Sequence, residues 1–289
     1  MSVDPATLLS QYQAMASRLP QPPRARDAAE ALGTSEGALT EARRLSGEAV
    51  ALGLPQGAAG LLADLARLGP LMALARNPDC VLEIEGRLAA PQIEGTLAHV
   101  RGLPQLDLDL DHWAAAYRLT EETRSGRLTS LQVFDRHGDA VLKLYPAPES
   151  AAALDALAAR LAGHDAPPVA FTAAPPHAEV PLPEGVSLPP SILQRVLEAA
   201  ATRAVPMRIA IANRGCRETF AGHVETIKPT GAWLNVLDPG FNMHLRADRV
   251  AHLRLLPDEA LVACRADGFE IVRFSGGAGW GAAIKTVRA

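Results

Sequence analysis

Aromatic residues are scarce in this chain: three Trp, three Tyr and six Phe among 289 positions. Its core must be built mostly from alanine and leucine rather than from packed rings. Cysteine is scarcer still. Cys80, Cys216 and Cys264 are far apart and odd in number, which argues against a disulfide framework. No run of eighteen apolar residues occurs, so no membrane insertion is expected. The opening MSVDPATLLSQYQAM lacks the basic start and long apolar stretch of a secretion signal, and a cytoplasmic location is expected. A net charge of −4 gives no general reason to expect nucleic acid as a partner. Neither C-x-x-C nor H-E-x-x-H is present, which argues against a structural zinc or di-metal site.

Charge is unevenly spread. Residues 1–186 hold 15 Lys/Arg against 23 Asp/Glu, and residues 187–289 hold 13 against 9. The balance favours an anionic ligand toward the C-terminal end.

Some short patterns fail on context. GTSEG (33–37) matches G-x-S-x-G, but a nucleophile elbow needs a preceding strand. Here the amphipathic RARDAAEAL precedes it, so Gly33 reads as a helix stop and Thr34 or Ser35 as the next N-cap. GGAGWG (276–281) is followed by too little chain for a dinucleotide-binding helix and reads as a flexible tail. Asp107, Asp109 and Asp111 share a period of two and read as the solvated face of a strand.

What the chain does have is an internal repeat. Displaced by 136 positions, Asn77 falls on Asn213, Cys80 on Cys216, Gly86 on Gly222 and Gly95 on Gly231. MALARNPDC and RIAIANRGC then read as one strand running into one turn. A one-residue slip further on sets Leu106 on Phe241 and Asp107 on Asn242, keeping polar positions on polar ones. Later, Gly138 falls on Gly268. Alternating runs such as LTSLQVFDRHGDAVLKLY predict hairpins. Residues 56–70, 149–164 and 189–206 predict helices. The fold class is α+β, a tandem repeat of antiparallel β-sheet units flanked by helices. Residues 1–164 form the first repeat with extra N-terminal helices. Residues 165–190 form a Pro-rich extended linker, and 191–289 a shortened second repeat.

GAWLNVLDPGFNMHLR (231–246) places Asn242, His244 and Arg246 on one strand face, with Phe241, Met243 and Leu245 on the other. The polar face is either solvated or the lining of a groove for a flat dianion. Trp233 reads as core, Asn235 as a hydrogen-bonder, and Asn213–Cys216 as a turn with Cys216 packed inside.

The segment ANRGCRETFAGHVETIKPTGAWLNVLDPGFNMHLRADRVA (212–251) resembles the C-terminal repeat of the HemS/ChuX-like haem-utilisation family. LGPLMALARN, DLDLDHW and SLQVFDRHGDAVLKLY resemble further family segments. The resemblance implies two sheets built from a tandem repeat, and a cytoplasmic protein that carries or degrades haem. It also implies haem as the cofactor and partner, or another anionic tetrapyrrole. Haem requires an apolar slot, nitrogen ligands and cations for its propionates. His244 is the candidate iron ligand; Arg246 and Arg214, with Asn242, are candidates for the rest of the site. Three family positions differ here. The Pro-rich linker, with His177 in PPHAEV, replaces the segment bearing an axial histidine. FSGGA (274–278) replaces F-F-G-K-R, and Asp109 stands where the family has arginine. The reading carried forward is a haem-trafficking protein with altered ligation. A scaffold without haem and a haem-degrading enzyme are the alternatives, and the sequence is compatible with a homodimer.

Overall fold

Alternation at period two carries most of the chain into strands. In Pro70–Arg76 and Phe241–Arg246 every second residue is buried, as expected where one face meets a core. The computed structural model describes residues 4–123, 126–175 and 178–288; His177 lies outside them. Among the described residues the first repeat contributes β1 (Ala49–Ala51), β2 (Pro70–Arg76), β3 (Cys80–Arg87), β4 (Gln92–Glu94), β5 (Leu97–Val100), β6 (Gln105–Asp109), β7 (Ala115–Thr123), β8 (Gly126–Phe134) and β9 (Ala140–Pro146). The end of the linker contributes β10 (Val186–Leu188), and the second repeat β11 (Met207–Ala212), β12 (Cys216–Gly222), β13 (Ile227–Thr230), β14 (Trp233–Asp238), β15 (Phe241–Arg246), β16 (His252–Leu255), β17 (Leu261–Cys264) and β18 (Glu270–Gly276).

The two repeats exchange strands. One sheet runs β1-β7-β8-β9-β2-β3-β15-β14-β13 and the other β10-β16-β17-β18-β11-β12-β6-β5-β4. Each is antiparallel throughout, and each takes its last three strands from the other repeat. Neither repeat can complete its sheet alone. The inner faces share one apolar cluster, which includes Leu82, Ile84 and Met243 of the first sheet and Leu106, Ile209 and Phe274 of the second. Across it the rings of Phe220 and Phe241 stack 3.7 Å apart at 8°, a contact worth about 0.5–1.5 kcal/mol beyond its area.

Pairing corrects the sequence register. Leu245 lies opposite Cys80, and Leu108 opposite the equivalent Cys216. Leu106 and Asp107 therefore occupy the places of Met243 and His244, two residues on from Phe241 and Asn242. The loop before β6 is longer than the Pro-Gly turn before β15. Since the shift is even, facing is preserved and the error leaves no trace in the hydrophobic pattern. The aspartate face also ends early, because β6 stops at Asp109 and Leu110–His112 turn as a 3-10 helix.

Helices α1 (Pro5–Ala16), α2 (Ala25–Ala31) and α3 (Glu36–Ala42) form a small core around Leu8, Tyr12 and Leu39. Ser35 caps α3 by accepting the Ala38 N–H at 3.2 Å, and Gly33 ends the preceding helix at φ +65°. These helices lie on the outer face of the first sheet, where buried Lys143 on β9 meets buried Glu36 on α3. Lys143's counterpart, Arg273 on β18, meets Glu270 at 2.7 Å instead. Among the described residues the second repeat has no matching helices there.

Helix α4 (Gly57–Leu65) is matched by α6 (Leu193–Thr202), and α5 (Ala151–Ala162) by α7 (Trp280–Arg288). Helix α7 overturns the flexible-tail reading of 276–281. Trp280 is 1% exposed and donates its indole N–H to Glu259 O at 2.8 Å, while Ala283 and Ile284 are buried beside it. Among its described residues the linker stays irregular up to β10. It hydrogen-bonds two hairpin turns, from Thr172 N to Arg136 O (3.0 Å) and from Val180 N to Asp267 O (2.8 Å).

Candidate functional site

His244 sits on β15 between Asn235 on β14 and Val81 on β3, half-buried on the outer face of the first sheet. Its Nδ1 lies 2.8 Å from Asn235 Oδ1. The amide's orientation is set on its other side, where Asn235 Nδ2 donates to Lys228 O at 2.9 Å. Its oxygen must therefore face the imidazole. That oxygen can only accept, so Nδ1 carries a proton, and in the neutral ring the lone pair is on Nε2. Nε2 has no hydrogen-bond partner among the described residues. Burial, opposed by Glu83 and aided by Arg24, holds this imidazole below its ordinary value. A neutral ring with an oriented, free Nε2 is the form that ligates a metal.

Around it, Asn242 donates to Glu83 Oε2 at 3.1 Å. Arg246 is held by both oxygens of Asp248, at 2.8 and 2.7 Å, and lies over the Trp233 ring at 5.4 Å. Trp233 is thus not core, as the sequence suggested. At 36% exposed it lines the same face, because its register partner is Arg246. The structure brings Asn242, His244 and Arg246 together and sets Arg214 elsewhere. Arg214 meets Asp139 at 2.7 Å and Asp135 at 3.2 Å in the turn after β8. Two members of the His244 neighbourhood escaped the sequence reading. Glu83 is its acidic neighbour. Arg24 precedes α2 and has no ion-pair partner among the described residues. Nothing in the local pattern couples residue 24 to residue 244.

The equivalent place on the second sheet is chemically inverted. Asp107 and Asp109 stand where the first sheet has His244 and Arg246. There the imidazole moves to the neighbouring strand, with His99 Nδ1 2.7 Å from Asp107 Oδ1. Arg101 shares the same oxygen at 2.6 Å, and together His99 and Arg101 lower the Asp107 pKa against the opposing effect of burial. Of the two faces, the first is the better suited to an anion.

Glu218 is the unexpected group of the interior. It points between the sheets, 0% exposed. Oε2 accepts the Ala75 N–H at 2.8 Å, and Oε1 has no partner. Burial pushes this carboxyl well up and so favours its neutral form.

Comparison with known proteins agrees with this architecture. The family model described as haemin-degrading HemS.ChuX domain matches residues 34–161 and 177–260. The hemin transport proteins HemS of Yersinia enterocolitica and HmuS of Yersinia pestis are each 29% identical, over 78% of this chain and 77% of the relative. Holo-PhuS, a heme-binding protein from Pseudomonas aeruginosa, is 30% identical and superposes with a TM-score of 0.84 over 98% of this chain and 99% of PhuS. The heme degrading enzyme ChuS of Escherichia coli O157:H7, at 23% identity and a TM-score of 0.85 over 98% of this chain and 99% of ChuS, has the same fold.

Proposed function

This chain belongs to the family of the haemin-degrading HemS.ChuX domain, and on that premise we propose that it binds haem as cargo on the outer face of the first sheet. His244 Nε2 is the nitrogen ligand, and Arg24 and Arg246 are the cations available to the propionates. The observation that carries this reading is the Lys228–Asn235–His244 chain, which commits Nδ1 as a donor and leaves Nε2 without a partner among the described residues. An iron-binding imidazole characteristically has such a partner on its other nitrogen. Trp233 supplies a broad apolar surface beside it. The residues present fit the group: an imidazole nitrogen and an Arg24 without partners among the described residues, a flat ring, and Arg246 paired with the exposed Asp248. Bound haem would present its iron to a nitrogen ligand and its carboxylates to guanidinium groups. Acids at Asp107 and Asp109 on the second sheet disfavour the same dianion there.

The test is a haemin titration of the full chain followed by absorbance, alongside His244→Ala. A saturable one-to-one Soret shift in the wild type, weakened at least about tenfold in the variant, supports the assignment. Non-stoichiometric binding in the wild type, or equal affinity in the variant, overturns it.

A further inference from the structure

A cavity of about 710 Å³ lies between turns of the two repeats, α2 and the linker. Two turns that the repeat makes equivalent contribute to its wall, Asn77–Pro78 of the first repeat and Asn213–Arg214 of the second. Val141, Phe269, Val180 and Pro181 add apolar surface. Its charges do not balance. Arg214 is matched by Asp135 and Asp139, and Arg217 lies 3.8 Å from Glu270. These pairings account for the acids of the wall. Arg76, at the end of β2, and Arg26, on α2, also line the cavity. Neither has an ion-pair partner among the described residues, and Arg76 Nε is buried without a hydrogen bond. Glu36, the acid that acts most strongly on Arg76, is held by Lys143. Burial, and then the like charge of Arg26, push the Arg76 guanidinium down to about 10. Two guanidinium groups facing one cavity, with Glu36 already held by Lys143 and no direct ion-pair partner of their own among the described residues, are costly unless an anion joins them.

We propose that this cavity is a binding site for an amphipathic organic anion, whose carboxylate or sulfonate bridges Arg76 and Arg26 while its apolar body lies against Val141, Phe269 and the linker. The volume suits a molecule of drug-like size and far exceeds an inorganic phosphate. A planar guanidinium pairs with a carboxylate through two parallel hydrogen bonds, and the apolar wall selects the rest of the ligand. No histidine lines the cavity, so the site is separate from the haem ligand proposed at His244.

The test uses 1-anilinonaphthalene-8-sulfonate as probe, with fluorescence titration of the full-length wild type, Arg76→Gln, Arg26→Gln and His244→Ala. Expected is one saturable site per chain, weakened about tenfold or more by Arg76→Gln and several-fold by Arg26→Gln. Binding is expected to be unchanged by His244→Ala and insensitive to millimolar phosphate. Arg26 is on a surface helix, so its variant reads the site even if the strand variant fails to fold. Wild-type affinity in Arg26→Gln, many weak sites, or loss of binding in His244→Ala would each overturn the proposal.

Discussion

Asn77 and Asn213 make the same hydrogen bonds with the repeats exchanged. Each amide oxygen accepts the N–H of the cysteine three residues on, Cys80 or Cys216, at 2.9 Å. Each Nδ2 then crosses to the other repeat, from Asn77 to Ile271 O at 2.7 Å and from Asn213 to Val141 O at 2.9 Å. Ile271 and Val141 are themselves equivalent under the repeat. One residue type therefore closes its own turn and fastens it to the opposite sheet.

Removing either amide strands a buried carbonyl and two buried N–H groups. Asn77→Ala is expected to cost about 2–4 kcal/mol and Asn213→Ala somewhat less, since Asn77 is buried and Asn213 half-buried. Urea unfolding of the two variants checks this. A loss below about 1 kcal/mol at Asn77 would mean that the crossing bonds contribute little.

Glu218 makes stability fall with rising pH. Its pKa is raised in the folded protein by burial, so above the ordinary carboxyl value of 4.5 the unfolded chain releases a proton that the folded chain keeps. This group then contributes a loss of about 1.4 kcal/mol per pH unit until the folded pKa is reached. Glu218→Gln retains an acceptor for Ala75 N–H and removes the titration. Unfolding midpoints at pH 5 and pH 8 should therefore differ less in the variant than in the wild type. An identical pH dependence would show that Glu218 ionises normally.

Asn235 acts through His244. Asn235→Ala should weaken haemin binding about 10- to 100-fold, and Asn235→Asp, which keeps an acceptor for Nδ1 but sets an oxygen against Lys228 O, should restore it only in part. Because the His244 pKa lies below its ordinary 6.5, protons compete for Nε2 only at lower pH. Haemin affinity should therefore fall in acidic solution with a midpoint below pH 6.5. A midpoint above 6.5 would contradict the neutral, buried ring.

Much of this was legible locally. The alternation of Phe241, Met243 and Leu245 with Asn242, His244 and Arg246 is a property of the strand alone, and burial follows it residue by residue. Ser35 and Gly33 act at the helix ends where side-chain chemistry would put them. The repeat was visible because Asn, Cys and Gly are demanded by particular turns, which both copies retain. Long-range pairing leaves no such mark. Strands β4–β6 carry the same pattern whichever sheet they join, and an even shift of register keeps every side chain on its face. The exchange of strands, the true partner of Asp107 and the docking of Trp280 were decided only by packing. The same holds for the site. A histidine was readable at 244, but Lys228 on a neighbouring strand orients the amide that frees its Nε2, and only the fold places Arg24 beside it or Arg26 beside Arg76. Periodicity determined which way each side chain points, and tertiary pairing determined what it meets.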